Sequence, residues 1–130
     1  MRVLVVDDHA IIRKGVCAIL SLREDIEVCG EAENGKEAVE KAIQLKPDLV
    51  IMDITMPVLS GFDASIRIRK ALPDVPILFL SMHDSQTVRQ ACRRAGAQGY
   101  VSKSKAAALL LRAVDLLVRG ETFFPATENV

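Results

Sequence analysis

Five residues able to do chemistry, Asp7, Asp8, Asp53, Ser81 and Lys103, stand at or just past the ends of short apolar runs. Taken singly each has an ordinary explanation, because a carboxylate or hydroxyl where a strand ends serves as a helix N-cap or turn residue. Taken together they are three carboxylates, a hydroxyl and an ammonium. If the chain brings them to one place, stability alone does not account for them. Three neighbouring carboxylates would force one to take up a proton unless a cation intervened. The ligand set is oxygen-only, with no thiolate or imidazole at hand, and this favours Mg²⁺ over zinc. An ion held by two carboxylates, a backbone carbonyl and waters, with Lys103 beside it, forms a receptor for a dianionic phosphoryl group. Asp53 then stands as a nucleophile able to form an acyl phosphate.

These groups can meet only if their elements lie side by side. The run Leu49–Met52 is apolar on both faces and bounded by Asp48 and Pro57, the signature of a strand buried in a parallel sheet. Similar runs occupy 2–6, 27–32, 76–80 and 100–102, the second less apolar and so expected at an edge. Apolar residues at helical spacing fill 9–22, 36–45, 62–72, 85–95 and 106–118. Asn34-Gly35, Pro47, Pro73, Gly96 and Gly120 punctuate them, while Pro57 and Gly61 let the loop after Asp53 wrap closely. Five strands alternating with five helices require right-handed crossovers, hence a doubly wound five-stranded α/β sheet with helices on both faces. Such sheets bind ligands outside the carboxyl ends of their strands, where the five residues fall.

A chain of 130 residues makes one domain, with 1–120 structured and 121–130 expected as a polar tail or the start of a linker. With one Tyr, four Phe and no Trp, its core must be aliphatic. A formal net charge of zero argues against nucleic-acid binding by bulk electrostatics. Cys17, Cys29 and Cys92 are odd in number and widely spaced, as expected of free thiols in a reducing cytosol. No signal peptide is visible and no apolar run approaches the ~20 residues of a membrane span, so a cytoplasmic protein without a membrane partner is expected. Between Ser85 and Gly120, seven basic residues face one acidic residue. Arg89, Arg93 and Arg94, expected outward, together with Lys105 and Arg112, form the predicted interaction face toward another receiver or an effector domain.

The combination of Asp7-Asp8-His9, Asp53-Ile54-Thr55-Met56-Pro57 with Gly61, Ser81, and Tyr100 three residues before Lys103 resembles the receiver domain of two-component response regulators. Arg13-Lys14-Gly15, Gly30-Glu31-Ala32-Glu33-Asn34-Gly35 and Gly96-Ala97-Gln98-Gly99-Tyr100 are similar to the NarL/FixJ subfamily, in which a LuxR-type helix-turn-helix domain follows the receiver. The resemblance implies a flavodoxin-like strand order 2-1-3-4-5. It implies that Asp53 accepts a phosphoryl group from a sensor histidine kinase, so that the domain catalyses only its own phosphorylation and dephosphorylation and is not otherwise an enzyme. Asp8, Asp53 and the Thr55 carbonyl would hold Mg²⁺ (or Mn²⁺), with Asp7 acting through water. Lys103 would pair with a phosphoryl oxygen and Ser81 would bond another, while Tyr100 turns inward into the space Ser81 leaves. That switch calls for about 5 kcal/mol of differential stabilisation. Homodimerisation on phosphorylation is expected, and DNA would be contacted only through an output domain outside this chain.

Thr55 and His83 occupy the two positions that tune hydrolysis of the acyl phosphate. Neither is a carboxylate or carboxamide, so self-dephosphorylation is expected to be slow. Three other readings compete. An aspartyl-phosphate phosphatase would need a second Asp where Thr55 stands. A flavodoxin-like electron carrier would need a Ser/Thr/Gly phosphate cradle where Asp7-Asp8-His9 stands. A stand-alone receiver acting by protein–protein contact fits the same residues as the regulator.

Overall fold

Strand β1 (Arg2–Val6) is buried along almost its whole length, and it pairs in parallel with both β2 (Glu27–Ala32) and β3 (Leu49–Asp53) in a computed structural model that describes residues 1–125. Strands β4 (Ile77–Ser81) and β5 (Gly99–Ser102) complete a five-stranded parallel sheet of order β2-β1-β3-β4-β5. The less apolar β2 lies at the edge, as its composition requires, and a register shift between Val3 and Leu4 interrupts its pairing with β1.

Alternation along each strand divides the core into two layers. Leu4, Val6, Val50, Met52, Ile77, Phe79 and Tyr100 face α2 (Gly35–Leu45), α3 (Gly61–Ala71) and α4 (Gln86–Arg94). Val3, Val5, Leu49, Ile51, Leu78, Leu80 and Val101 face α1 (Ala10–Leu20) and α5 (Ala106–Val118). Each fully buried side chain of Leu or Phe size contributes about 1.5–3 kcal/mol, which is why strands without a polar face persist in a chain this short. Phe79 at the centre meets Phe62 edge to face, ring centroids 5.3 Å apart.

Side-chain caps set three helix starts. Asn34 Oδ1 accepts from the Glu37 N–H at 2.8 Å, Ser60 Oγ from Asp63 at 3.2 Å and Ser85 Oγ from Val88 at 3.1 Å. The Ser60 cap starts α3 at Gly61, one residue before the sequence pattern places it, and α1 is shorter at both ends than 9–22. The segment expected as a tail or linker runs back along the sheet as far as it is described. Tyr100 donates its N–H to the Phe123 carbonyl and Phe123 to the Gln98 carbonyl, both at 2.9 Å. The Phe124 ring lies 4.0 Å from the Arg93 guanidinium. Residues 126–130 of that expectation lie outside the described residues. Among those described, no helix is long and apolar enough to cross a membrane.

Candidate functional site

Strand register assembles the site. Val6 pairs with Met52, Asp53 with Leu80 and Ser81 with Ser102, so Asp7, Asp53, Ser81 and Lys103 emerge at neighbouring points on one edge. Lys103 begins a 3₁₀ turn (Lys103–Lys105) and sends its Nζ back over the strand ends. It lies 2.8 Å from Asp7 Oδ2 and 3.2 Å from Asp53 Oδ2. Asp7 is 1 % exposed, and its position is set from both sides: Oδ1 accepts the His9 N–H at 2.9 Å, and its carbonyl accepts from Arg13 Nη1 at 2.7 Å.

Electrostatics match that geometry. Burial pushes the Asp53 carboxyl above its ordinary range; Lys103 opposes the shift, and Asp7 and Asp8 add to it. Burial alone would lower the Lys103 ammonium, but its bonds and charge contacts with Asp7 and Asp53 more than offset this and raise it. Asp53 is thus a buried anion whose charge is tolerated only because a cation stands against it.

The loop between Asp53 and α3 is tightly drawn. Gly61 donates to the Ile54 carbonyl at 2.7 Å, and a Cβ at Gly61 would stand 2.2 Å from the Asp53 carbonyl oxygen, a space only glycine leaves open. Leu59 donates to the Pro57 carbonyl at 2.8 Å, closing a γ-turn on Val58, a β-branched residue with φ of 70°. That conformation is strained and costs of order 1–3 kcal/mol.

Thr55 and His83 are both exposed, two residues beyond Asp53 and Ser81 respectively. Ser81 Oγ accepts the His83 N–H at 3.0 Å. Tyr100 is 1 % exposed with Ser81 still in that turn, so inward packing of the ring does not wait on Ser81 leaving. Among the described residues its hydroxyl is buried without a hydrogen-bond partner; burial pushes the phenol up to about 12, a shift that Ser81 opposes.

The predicted basic face divides. Arg89, expected outward, is buried against the protein and pairs through Nη1 with Asp84 Oδ1 at 3.2 Å. The other Asp84 oxygen meets Lys105 Nζ at 3.3 Å. Asp84, one residue before the basic stretch begins, thus ties two of the five basic groups together. Arg93 lies over Phe124, and Arg94 and Arg112 are exposed.

Asp7, Asp8, His9 and Asp53 each present an atom able to ligate a metal, all within 4.8 Å of one another, so an imidazole stands beside the expected oxygen donors. Among the described residues Asp8 Oδ1 is buried with no hydrogen-bond partner, as a carboxylate oxygen facing a cation site is. The carboxylates therefore fit a divalent ion. His9 was legible in the sequence only as the third residue of Asp7-Asp8-His9, because nothing in one-dimensional spacing says that its ring turns toward the acids.

Three acids and a lysine converge on the end of the central strand of a doubly wound sheet, the arrangement of a signalling receiver domain. The chain belongs to the response regulator receiver domain family, whose model matches residues 3–115; domains of this family bind Mg²⁺ at the acidic pocket. Its relatives fall in the NarL/FixJ subfamily. The oxygen regulatory protein NreC of Staphylococcus haemolyticus is 40% identical over 95% of this chain and 57% of its own length. A LuxR-family two-component response regulator from Aurantimonas is 34% identical with a TM-score of 0.90, covering 94% of this chain and 87% of that one. The isolated receiver of RcsB from Salmonella enterica serovar Typhimurium, solved with the phosphomimetic BeF₃⁻, is 27% identical with a TM-score of 0.87, covering 96% and 93%. The chain thus spans little more than half the length of a curated relative such as NreC.

Proposed function

We propose that Asp53 is the phosphoacceptor of a cytoplasmic signalling switch, charged by a sensor histidine kinase. The observation that carries this is the buried Asp53 carboxylate 3.2 Å from Lys103 Nζ, with the Asp7 and Asp8 carboxylates beside it. An Asp53 oxygen attacks phosphorus, a P–O bond forms and the P–N bond to the donor imidazole breaks, its electron pair returning to the ring nitrogen. Asp8, Asp53 and the Thr55 carbonyl would hold Mg²⁺ or Mn²⁺, with Asp7 acting through water, and the bound ion would supply charge neutralisation for the phosphoryl oxygens. Lys103 leaves Asp53 to pair with one phosphoryl oxygen. Ser81 donates its hydroxyl to another, drawing with it the His83 N–H that its oxygen accepts, which pulls on the β4–α4 connection and on Asp84 with its two basic partners. Tyr100, packed beneath, keeps the rearranged loop from relaxing.

Output runs through Arg93, Arg94 and Arg112, by homodimerisation or by release of a LuxR-type DNA-binding domain that regulates transcription. Neither Thr55 nor His83 offers a carboxylate or carboxamide to orient a water in line, so the phosphorylated state is long-lived. Incubation with acetyl phosphate and Mg²⁺ tests the assignment: one acid-labile phosphate per chain is expected, absent in Asp53→Asn. Full labelling of that variant would refute it, and steady phosphate release would favour a phosphatase. Loss of label within seconds, unchanged by His83→Ala, would overturn the slow-decay reading.

A further inference from the structure

We infer that His9 is an additional metal ligand, its Nδ1 joining the carboxylates of Asp8 and Asp53, so that the pocket takes a first-row transition cation in a mixed oxygen–nitrogen shell. The inference rests on the reading of the acidic pocket as the divalent-ion site.

Three observations place the imidazole there. First, His9 Nδ1 lies 3.2 Å from Asp8 Oδ1 and 3.4 Å from Asp7 Oδ1. Neither contact is an aligned hydrogen bond, whereas the His9 backbone N–H is bonded to Asp7 Oδ1 at 2.9 Å. Adjacent donors on an octahedral ion at 2.0–2.1 Å stand about 3 Å apart and opposite ones about 4 Å apart. The 3.2 Å separation of Nδ1 from Asp8 Oδ1 matches adjacent positions of such a shell.

Second, His9 occupies the N-cap position of α1 with extended backbone (φ −97°, ψ 109°) but makes no side-chain cap bond. A residue at that position ordinarily turns its side chain to the free N–H groups of the first turn. Here the ring turns to the acids instead. Third, Asp8 Oδ1, the oxygen nearest the imidazole, is buried and has no hydrogen-bond donor.

The chemical consequence is selectivity. Mg²⁺ prefers oxygen donors and gains little from an imidazole, whereas Ni²⁺, Zn²⁺ and Cu²⁺ bind imidazole well. His9, 64% exposed at the mouth of the pocket, can swing onto an entering ion without unpacking the fold.

The test is calorimetric titration of the 130-residue chain with MgCl₂ and, separately, NiCl₂, in wild type, His9→Gln and Asp8→Asn. Cu²⁺-loaded samples are read in parallel by pulsed electron paramagnetic resonance for coupling to an imidazole ¹⁴N. His9→Gln is expected to weaken Ni²⁺ at least tenfold, to change Mg²⁺ less than twofold, and to abolish the ¹⁴N coupling. If Asp8→Asn weakens Mg²⁺ while His9→Gln leaves Ni²⁺ affinity and the coupling intact, His9 is no ligand and only this inference fails. If Asp8→Asn leaves Mg²⁺ binding unchanged, the pocket reading itself fails.

Discussion

Replacing Lys103 by methionine would strip the site of its fixed cation while keeping most of the side chain's volume. At an effective dielectric of about 20, charges 2.8 Å and 3.2 Å apart interact by roughly 6 and 5 kcal/mol before any desolvation is counted. Dehydrating the ammonium offsets much of this. The decisive fact is that Asp7 and Asp53, both nearly inaccessible, would be left facing each other and Asp8 without compensation. Removing one partner from a buried ion pair costs about 3–5 kcal/mol. For a domain of this size that corresponds to a fall in Tm on the order of 10–15 °C. Urea unfolding at neutral pH in a chelating buffer measures it, with Lys103→Arg as the charge-preserving control. Mg²⁺ then discriminates further. Since an ion that binds only the folded chain stabilises it by about RT ln(1 + [L]/Kd), and Lys103 competes for the same carboxylates, the methionine variant should recover more stability from Mg²⁺ than wild type gains. A metal-free midpoint within about 0.5 kcal/mol of wild type, or a Mg²⁺ gain no larger than that of wild type, would refute the view that Lys103 is the electrostatic keystone of the pocket.

Three other perturbations probe the surroundings. Tyr100 is the only tyrosine, so tyrosinate absorbance reports it directly; its phenol should ionise near pH 12 in the folded chain against about 10 when unfolded. Because the folded value is the higher one, the associated stability of about 3 kcal/mol is present below pH 10 and is lost as pH rises through about 12, which pH-dependent urea unfolding would show. Gly61→Ala should cost about 1–3 kcal/mol by thermal unfolding and slow acetyl phosphate labelling on the order of 10²-fold, since its methyl group can be seated only by moving the Asp53 carbonyl. Val58→Gly should stabilise the domain by about 1 kcal/mol, relief of left-handed strain exceeding the added unfolded-state entropy, with labelling of Asp53 retained.

What the sequence determined by itself was the set of strands, their parallel sense and the polar residue at each functional strand end. Strand burial on both faces reads directly as unbroken aliphatic runs such as Leu49–Met52, and alternation with helices leaves few permitted topologies. Once the register is that of a parallel sheet, Asp7, Asp53, Ser81 and Lys103 have nowhere else to converge.

Tertiary structure alone decided how those groups divide their contacts and which neighbours join them. Lys103 sits closer to Asp7 than to Asp53, a difference set by the turn that follows β5. Helical periodicity put Arg89 on the outer side of α4, but Asp84, from the preceding loop, supplies the charge that lets it be buried. Phe123 and Phe124 look like part of a tail until the edge of β5 offers Phe123 hydrogen bonds and α4 offers Phe124 the Arg93 guanidinium. His9 follows the same rule. Chain spacing specifies where a residue's backbone emerges, whereas the direction of its ring is set by the folded backbone around it, and here that turns the ring toward the carboxylates of Asp7 and Asp8.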